Sequence, residues 1–84
     1  MAKFIITLKP MTSEQVKTAC ASVMSAASGS NLKMDWAYVD NATNQPLCCW
    51  DGPDHAAIED LFRRGGQQVE SIRTVTVYRA PGAA

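Results

Sequence analysis

Hydrophobic and polar positions along the chain fall into six segments of regular pattern. Two segments repeat their apolar residues about every 3.6 positions, which predicts amphipathic helices, and four have the short alternating or fully apolar runs of β-strands. The helices are predicted at 12–27 and 55–64, and the strands at 3–9, 32–40, 46–50 and 69–78. Stretches rich in Gly, Ser, Asn and Asp separate them, as loops do.

The first and third strands are predicted to lie in the middle of a sheet. Phe4, Ile6 and Leu8 fall on one face of the first strand and Ile5 on the other, so both faces are apolar. The third strand carries no charge over 47–50. The second and fourth strands alternate apolar and polar residues, which predicts edge strands.

The alternation in the second strand places large apolar side chains on one face. This row consists of Leu32, Met34, Trp36 and Tyr38. Residues Met34, Trp36, Tyr38, Cys48 and Trp50 are therefore candidates for a ligand pocket or a subunit interface, because aromatic side chains bury much area and keep a polar group. A chain this short needs that burial, which favours the interface or the core. The pattern leaves open which face Cys48 and Trp50 occupy.

Both predicted helices have recognisable ends. Thr12 and Gln15 match a capping box at the start of the first helix, and Asp54 can cap the second. Gly65 and Gly66 are placed to end the second helix. The apolar face of the first helix is predicted to hold Val16, Cys20, Val23, Met24 and Ala27, and that of the second Ala57, Ile58, Leu61 and Phe62.

The order of elements predicts an α+β fold of the ferredoxin-like split βαβ type, βαββαβ. Its four-stranded antiparallel sheet would carry both helices on one face. Residues 1–79 are predicted to form this single domain, and residues 80–84, rich in Ala, Pro and Gly, a disordered tail. Because two helices cover only one face of four strands, we expect a homodimer through the open sheet face.

Composition narrows the partners of this domain. The chain has 84 residues, 46% of them hydrophobic and 19% charged, and its 8 basic and 8 acidic residues balance. Without a basic run, nucleic acid is not an expected partner, and without an apolar run near 20 residues neither is a membrane. Three cysteines make no disulfide framework, and the start of the chain has no secretory pattern, so the expected location is cytoplasmic.

Short motifs spread over nearly the whole chain resemble a known family. They are Tyr38-Val39, the segment Cys48-Cys49-Trp50-Asp51-Gly52-Pro53-Asp54, Arg63-Arg64-Gly65-Gly66 and Val69-Glu70-Ser71-Ile72. Together they resemble a family of small ferredoxin-like proteins, catalogued as a domain of unknown function, whose best-known members are described as nickel-binding.

The resemblance implies a dimer and a transition-metal cofactor, nickel or another divalent ion. Cys48, Trp50, Asp51 and Pro53 match the order of cysteine, aromatic, acidic residue and proline that the family shows at this strand-to-helix corner. The family also tends to carry one histidine in the second strand and one in the second helix. Trp36 and Leu61 stand at those positions here, and neither side chain binds a metal.

His55 is the sole histidine of the chain and the one candidate for a catalytic acid or base. Asp51 and Asp54 flank it, so these three residues are also the candidate metal ligands. Two of them have a simpler interpretation, since a histidine in the first turn of a helix is ordinarily solvated and Asp54 fits an N-cap.

Cys48 and Cys49 invite a metal or redox interpretation as well. Neighbouring residues of a strand point to opposite faces, so one ion cannot bind both thiolates without breaking the strand. A buried cysteine also packs as a small hydrophobic residue. The same packing role is expected for Cys20 on the apolar face of the first helix.

Three functions remain open at this point. The first is a small dimeric protein that binds a small-molecule ligand or a transition metal without catalysis. The alternative is a dimeric α/β-barrel enzyme, similar to a monooxygenase or isomerase, with an aromatic pocket of Trp36, Tyr38 and Trp50 and His55 as acid or base. The third is an interaction module whose open sheet face binds a different protein.

Overall fold

A computed structural model describes residues 1–78, and within them the elements follow the predicted order. They are β1 (Ala2–Leu8), α1 (Ser13–Ala27), β2 (Lys33–Asp40), β3 (Gln45–Gly52), α2 (His55–Arg64) and β4 (Val69–Val75). This confirms the α+β, ferredoxin-like fold. The last strand was predicted to continue to residue 78 and ends instead at Val75. The tail predicted for 80–84 lies outside the described residues.

The sheet has the strand order β2-β3-β1-β4, and every neighbouring pair is antiparallel. β1 and β3 are therefore the central strands, as their apolar character on both faces predicted. β2 and β4 form the two edges, in agreement with their alternating patterns.

The hydrophobic core lies between one face of the sheet and the two helices. Phe4 and Trp50 are paired across β1 and β3, and both are almost fully buried. Phe62 of α2 packs its ring edge-on against Trp50, with ring centroids 5.9 Å apart. One contiguous core contains these rings, Ile58 and Leu61 of α2, and residues of α1.

The helix α1 contributes only small side chains to this core. Its buried residues are Ala19, Val23 and Ala27. Met24, predicted on the apolar face, is 52% exposed. At about 100° per residue, Met24 lies about a quarter-turn from Val23, so its side chain points away from the sheet. Neither described helix has the length and hydrophobicity of a membrane span.

The capping box predicted for α1 is present. The Thr12 hydroxyl accepts a hydrogen bond from the Gln15 backbone N–H at 3.2 Å, and the Gln15 side chain accepts one from the Thr12 N–H at 2.9 Å. The cap satisfies amides at the first turn, which have no partner within the helix.

Replacing Thr12 with alanine is expected to lower the free energy of unfolding by about 1 kcal/mol, because the cap is lost. Denaturant unfolding followed by circular dichroism measures it. Thr18→Ala is the matched control: Thr18 is an exposed threonine inside the same helix, so its loss should stay within about 0.5 kcal/mol. Equal losses in the two variants would contradict the role assigned to Thr12.

Candidate functional site

A β-bulge in β2 decides which of its side chains share a face. Met34 lies opposite Trp50, but Trp36 lies opposite the next residue of β3, so the pairing shifts between Met34 and Trp36. The extra residue, Asp35, reverses the alternation for the rest of the strand. Met34 therefore faces the helices with Trp50, while Trp36 and Tyr38 face the other side. The prediction that all members of this row share one face is wrong.

We call the side of the sheet opposite the helices the open face. Among residues 1–78, no helix or strand covers it. Trp36 and Tyr38 are 50% and 59% exposed there, and their ring centroids are 6.3 Å apart. The strand pairings place these residues on the open face: Ile5, Thr7, Trp36, Tyr38, Leu47, Cys49, Ser71, Arg73 and Val75.

A small charge cluster lies at one end of the open face. The Lys3 ammonium forms ion pairs with the carboxylates of Asp35 and Asp51, the latter with Nζ 3.0 Å from Oδ1. Lys3 and Asp51 are directly paired across β1 and β3, so the sheet itself sets this contact. The bulge brings in the second carboxylate, and the cluster carries a net charge of −1.

His55 and Asp54 lie on the other side of the strand-to-helix corner. Asp54 accepts a hydrogen bond from the Ala57 N–H at 2.8 Å, which is the predicted N-cap. His55 opens α2 with its side chain half exposed, and its Nδ1 lies 2.7 Å from a carboxylate oxygen of Glu59. Its ring also forms a T-shaped contact with the ring of Phe4, with centroids 6.5 Å apart.

The three candidate metal ligands thus have separate partners. Asp51 pairs with Lys3, Asp54 caps α2, and His55 pairs with Glu59. In the part of the chain that the structure describes, no three His, Cys, Asp or Glu side chains are grouped to hold an ion. Metal binding by Asp51, Asp54 and His55 remains a prediction without an assembled ligand set in one chain.

The residues of the predicted aromatic pocket are also divided between the two faces of the sheet. Trp36 and Tyr38 lie on the open face, whereas Met34, Cys48 and Trp50 face the helices. His55 lies on the helix side as well, at the surface. A single chain therefore does not place the two exposed aromatic rings beside the candidate acid or base.

A small cavity lies between α1 and the sheet. Its volume is about 10 Å³, and its wall is formed by Leu8, Val16, Ala19, Cys20, Val23, Met34, Pro46, Cys48, Trp50 and Phe62. Within residues 1–78, the buried indole N–H of Trp50 has no hydrogen-bond partner. The sequence pattern placed Cys20 in the core and grouped Met34 with Cys48, but it carried no signal that Cys20 would share a wall with these two residues.

All three cysteines are free thiols, and Cys48 and Cys49 lie on opposite faces of the sheet. Cys48 faces the cavity and Cys49 the open face, as predicted for neighbours in a strand. Burial raises the pKa of Cys48 to about 12, and the thiols of Cys20 and Cys49 add to this. Burial also raises the pKa of Cys49, against the opposing effect of the Lys3 ammonium. Both thiols stay protonated at neutral pH, so neither is an activated nucleophile.

Two bacterial proteins of known structure are similar to this one. SCO4226 from Streptomyces coelicolor A3(2) is 22% identical, with a TM-score of 0.79 over 93% of this chain and 100% of its own. An uncharacterised NIPSNAP domain protein from Burkholderia xenovorans is 11% identical, with a TM-score of 0.54 over 100% of this chain and 99% of its own. Neither a protein-family model nor a curated protein matches the chain. At these identities the similarity shows the ferredoxin-like fold, and the nickel site implied by the resemblance stays a prediction.

Proposed function

We propose that the protein is a homodimer that binds a ligand without catalysis, and that the two copies meet through their open faces. The observation that carries this proposal is the pair of large aromatic side chains, Trp36 and Tyr38, at least half exposed on a sheet face opposite the helices. Exposed apolar patches of this kind mark interaction sites. A second copy of the chain is the simplest partner, because most soluble oligomers are symmetric and use the same surface on each copy.

The area of the open face is large enough for such a contact. Four strands of about seven residues, spaced by about 4.8 Å, cover roughly 20 × 20 Å. Two facing sheets of that size bury on the order of 1,000 Å² in total, which reaches the lower limit of specific interfaces. A domain of 84 residues has a small core of its own, so this burial also adds to its stability.

Two ligand classes fit between the facing sheets. The aromatic rings provide an apolar wall for a small organic molecule. The resemblance supports a divalent transition metal, nickel first, and Asp35 and Asp51 are two neighbouring carboxylates on the open face that a dimer would bring near those of the second copy. Either ligand would be bound by residues of both chains. The free thiols support a reducing location, the cytoplasm.

Trp36→Asp is expected to turn the dimer into a monomer, with an increase of about a hundredfold or more in the dimer dissociation constant. It replaces an exposed aromatic side chain of the proposed interface with a charge that the contact would have to bury. Native mass spectrometry and sedimentation velocity measure this against a chain mass of 9.1 kDa.

Met24→Asp is the matched control, because Met24 is 52% exposed on α1, on the other side of the sheet. This variant should remain a dimer. A wild-type chain that stays monomeric would contradict the proposal. The same increase of the dimer dissociation constant in both variants would also contradict it. The same spectra, recorded with stoichiometric Ni²⁺, show whether the dimer gains an ion and whether Asp51→Asn loses it.

A further inference from the structure

Three sulfur-containing residues from three different elements line the cavity beneath α1. Cys20 comes from α1, Met34 from β2 and Cys48 from β3. The cavity of about 10 Å³ has room for one sphere the size of a water molecule. Its size and its lining therefore match one small ligand that prefers sulfur.

The fold brings these side chains together by specific features. The inward face of α1 consists of small residues such as Ala19 and Val23, which leave space above β3. The bulge at Asp35 moves Met34 to this side of the sheet. Cys20 of α1 and Cys48 of β3 are free thiols in the wall of the same cavity.

We propose that this cavity is a binding site for a single Cu(I) ion, held by Cys20 and Cys48 as thiolates and by the thioether of Met34. Thiolate and thioether sulfur are the ligands that select Cu(I). Structural Zn²⁺ takes four ligands, but the cavity wall supplies three sulfur-containing side chains. Ni²⁺ favours nitrogen and oxygen ligands rather than sulfur. The site lies on the helix side of the sheet and does not depend on the proposed dimer.

Binding exchanges protons for the metal and transfers no electrons. Two S–H bonds break, two Cu–thiolate bonds and one bond from copper to the Met34 thioether form, both protons go to the solvent, and copper stays Cu(I) throughout. The resulting complex of one cation with two thiolates has a net charge of −1. Trp50 is a residue of the cavity wall whose buried indole N–H has no partner among the described residues, and a thiolate accepts such a bond better than a thiol.

The test is an anaerobic titration of the full chain with Cu(I) in competition with a chromophoric chelator, bicinchoninate. We expect one Cu(I) per chain, with a thiolate-to-copper charge-transfer band in the ultraviolet. Cys20→Ser and Cys48→Ala should each lower the affinity about a hundredfold, and Met34→Leu about tenfold. Cys20 is partly exposed, so its serine variant keeps the test valid if the substitution of the buried Cys48 impairs folding.

Cys49→Ser is the matched control, since Cys49 is the adjacent cysteine but lies on the open face. Its affinity for Cu(I) should equal that of the wild type. Equal losses in Cys49→Ser and Cys20→Ser would show unspecific thiol binding and overturn the proposal. A wild-type chain that fails to compete with the chelator would also overturn it, as would equally tight binding of Ni²⁺ or Zn²⁺ at the same residues.

Discussion

Replacing Phe62 with alanine is expected to lower the free energy of unfolding by about 3–5 kcal/mol. The Phe62 side chain is 1% exposed and packs edge-on against Trp50, so its removal loses both the buried area and the aromatic contact. It also enlarges the cavity whose wall it shares with Trp50. Equilibrium unfolding in urea, followed by tryptophan fluorescence and circular dichroism, measures the loss.

The expected loss is a large fraction of the total stability of a small domain, about 5–15 kcal/mol. Met24→Ala is the control, because it also truncates a large apolar side chain but at a position that is 52% exposed. Its effect should stay within about 0.5 kcal/mol. If Phe62→Ala were no more destabilising than Met24→Ala, the contact between Phe62 and Trp50 would not be part of the stabilising core.

The elements that the sequence predicted correctly are those specified by neighbouring residues. Thr12 with Gln15 and Asp54 with Ala57 form the caps that locate both helix starts, and each cap spans only four residues. The central position of β1 and β3 was visible because residues on both faces of these strands are apolar. Local signals of this kind were sufficient for the order of elements and therefore for the fold.

The bulge in β2 could not be predicted, because it depends on pairing with another strand. Along β2 itself the alternation is unbroken through Met34, Trp36 and Tyr38. Only the register against β3 inserts Asp35 as an extra residue, and Lys3 of β1 then binds its carboxylate. One added residue moves half of the predicted row to the opposite face of the sheet.

The candidate metal ligands show that residues close in sequence need not lie together in the fold. Asp51, Asp54 and His55 are close in sequence but lie at a corner where the chain changes from strand to helix. Asp51 still follows the pleat of β3 and points to the open face, while Asp54 turns back to the first amides of α2. Conversely, Cys20 and Cys48 are far apart in sequence and meet at one cavity, which only the packing of α1 on the sheet determines.

The stability of the protein is expected to decrease with increasing pH above about 9, and Cys48 is expected to cause much of this decrease. Burial raises the pKa of the Cys48 thiol from 9.0 to about 12 in the folded protein. Above the ordinary pKa the unfolded chain loses this proton while the folded chain keeps it, so deprotonation favours unfolding. The stabilisation is fully present below about pH 9 and is lost as the pH rises towards 12.

Between about pH 9 and pH 11 the free energy of unfolding should fall by up to about 2–3 kcal/mol through Cys48, at about 1.4 kcal/mol per pH unit. Urea unfolding at a series of pH values, with a reductant to keep the thiols free, measures the slope. Cys48→Ala should lose some stability at every pH because it enlarges the cavity, but its slope above pH 9 should be flatter. All other ionisable groups are common to both proteins, so the difference between the two slopes isolates Cys48. Parallel curves for wild type and Cys48→Ala would mean that the folded protein releases this proton as readily as the unfolded chain does.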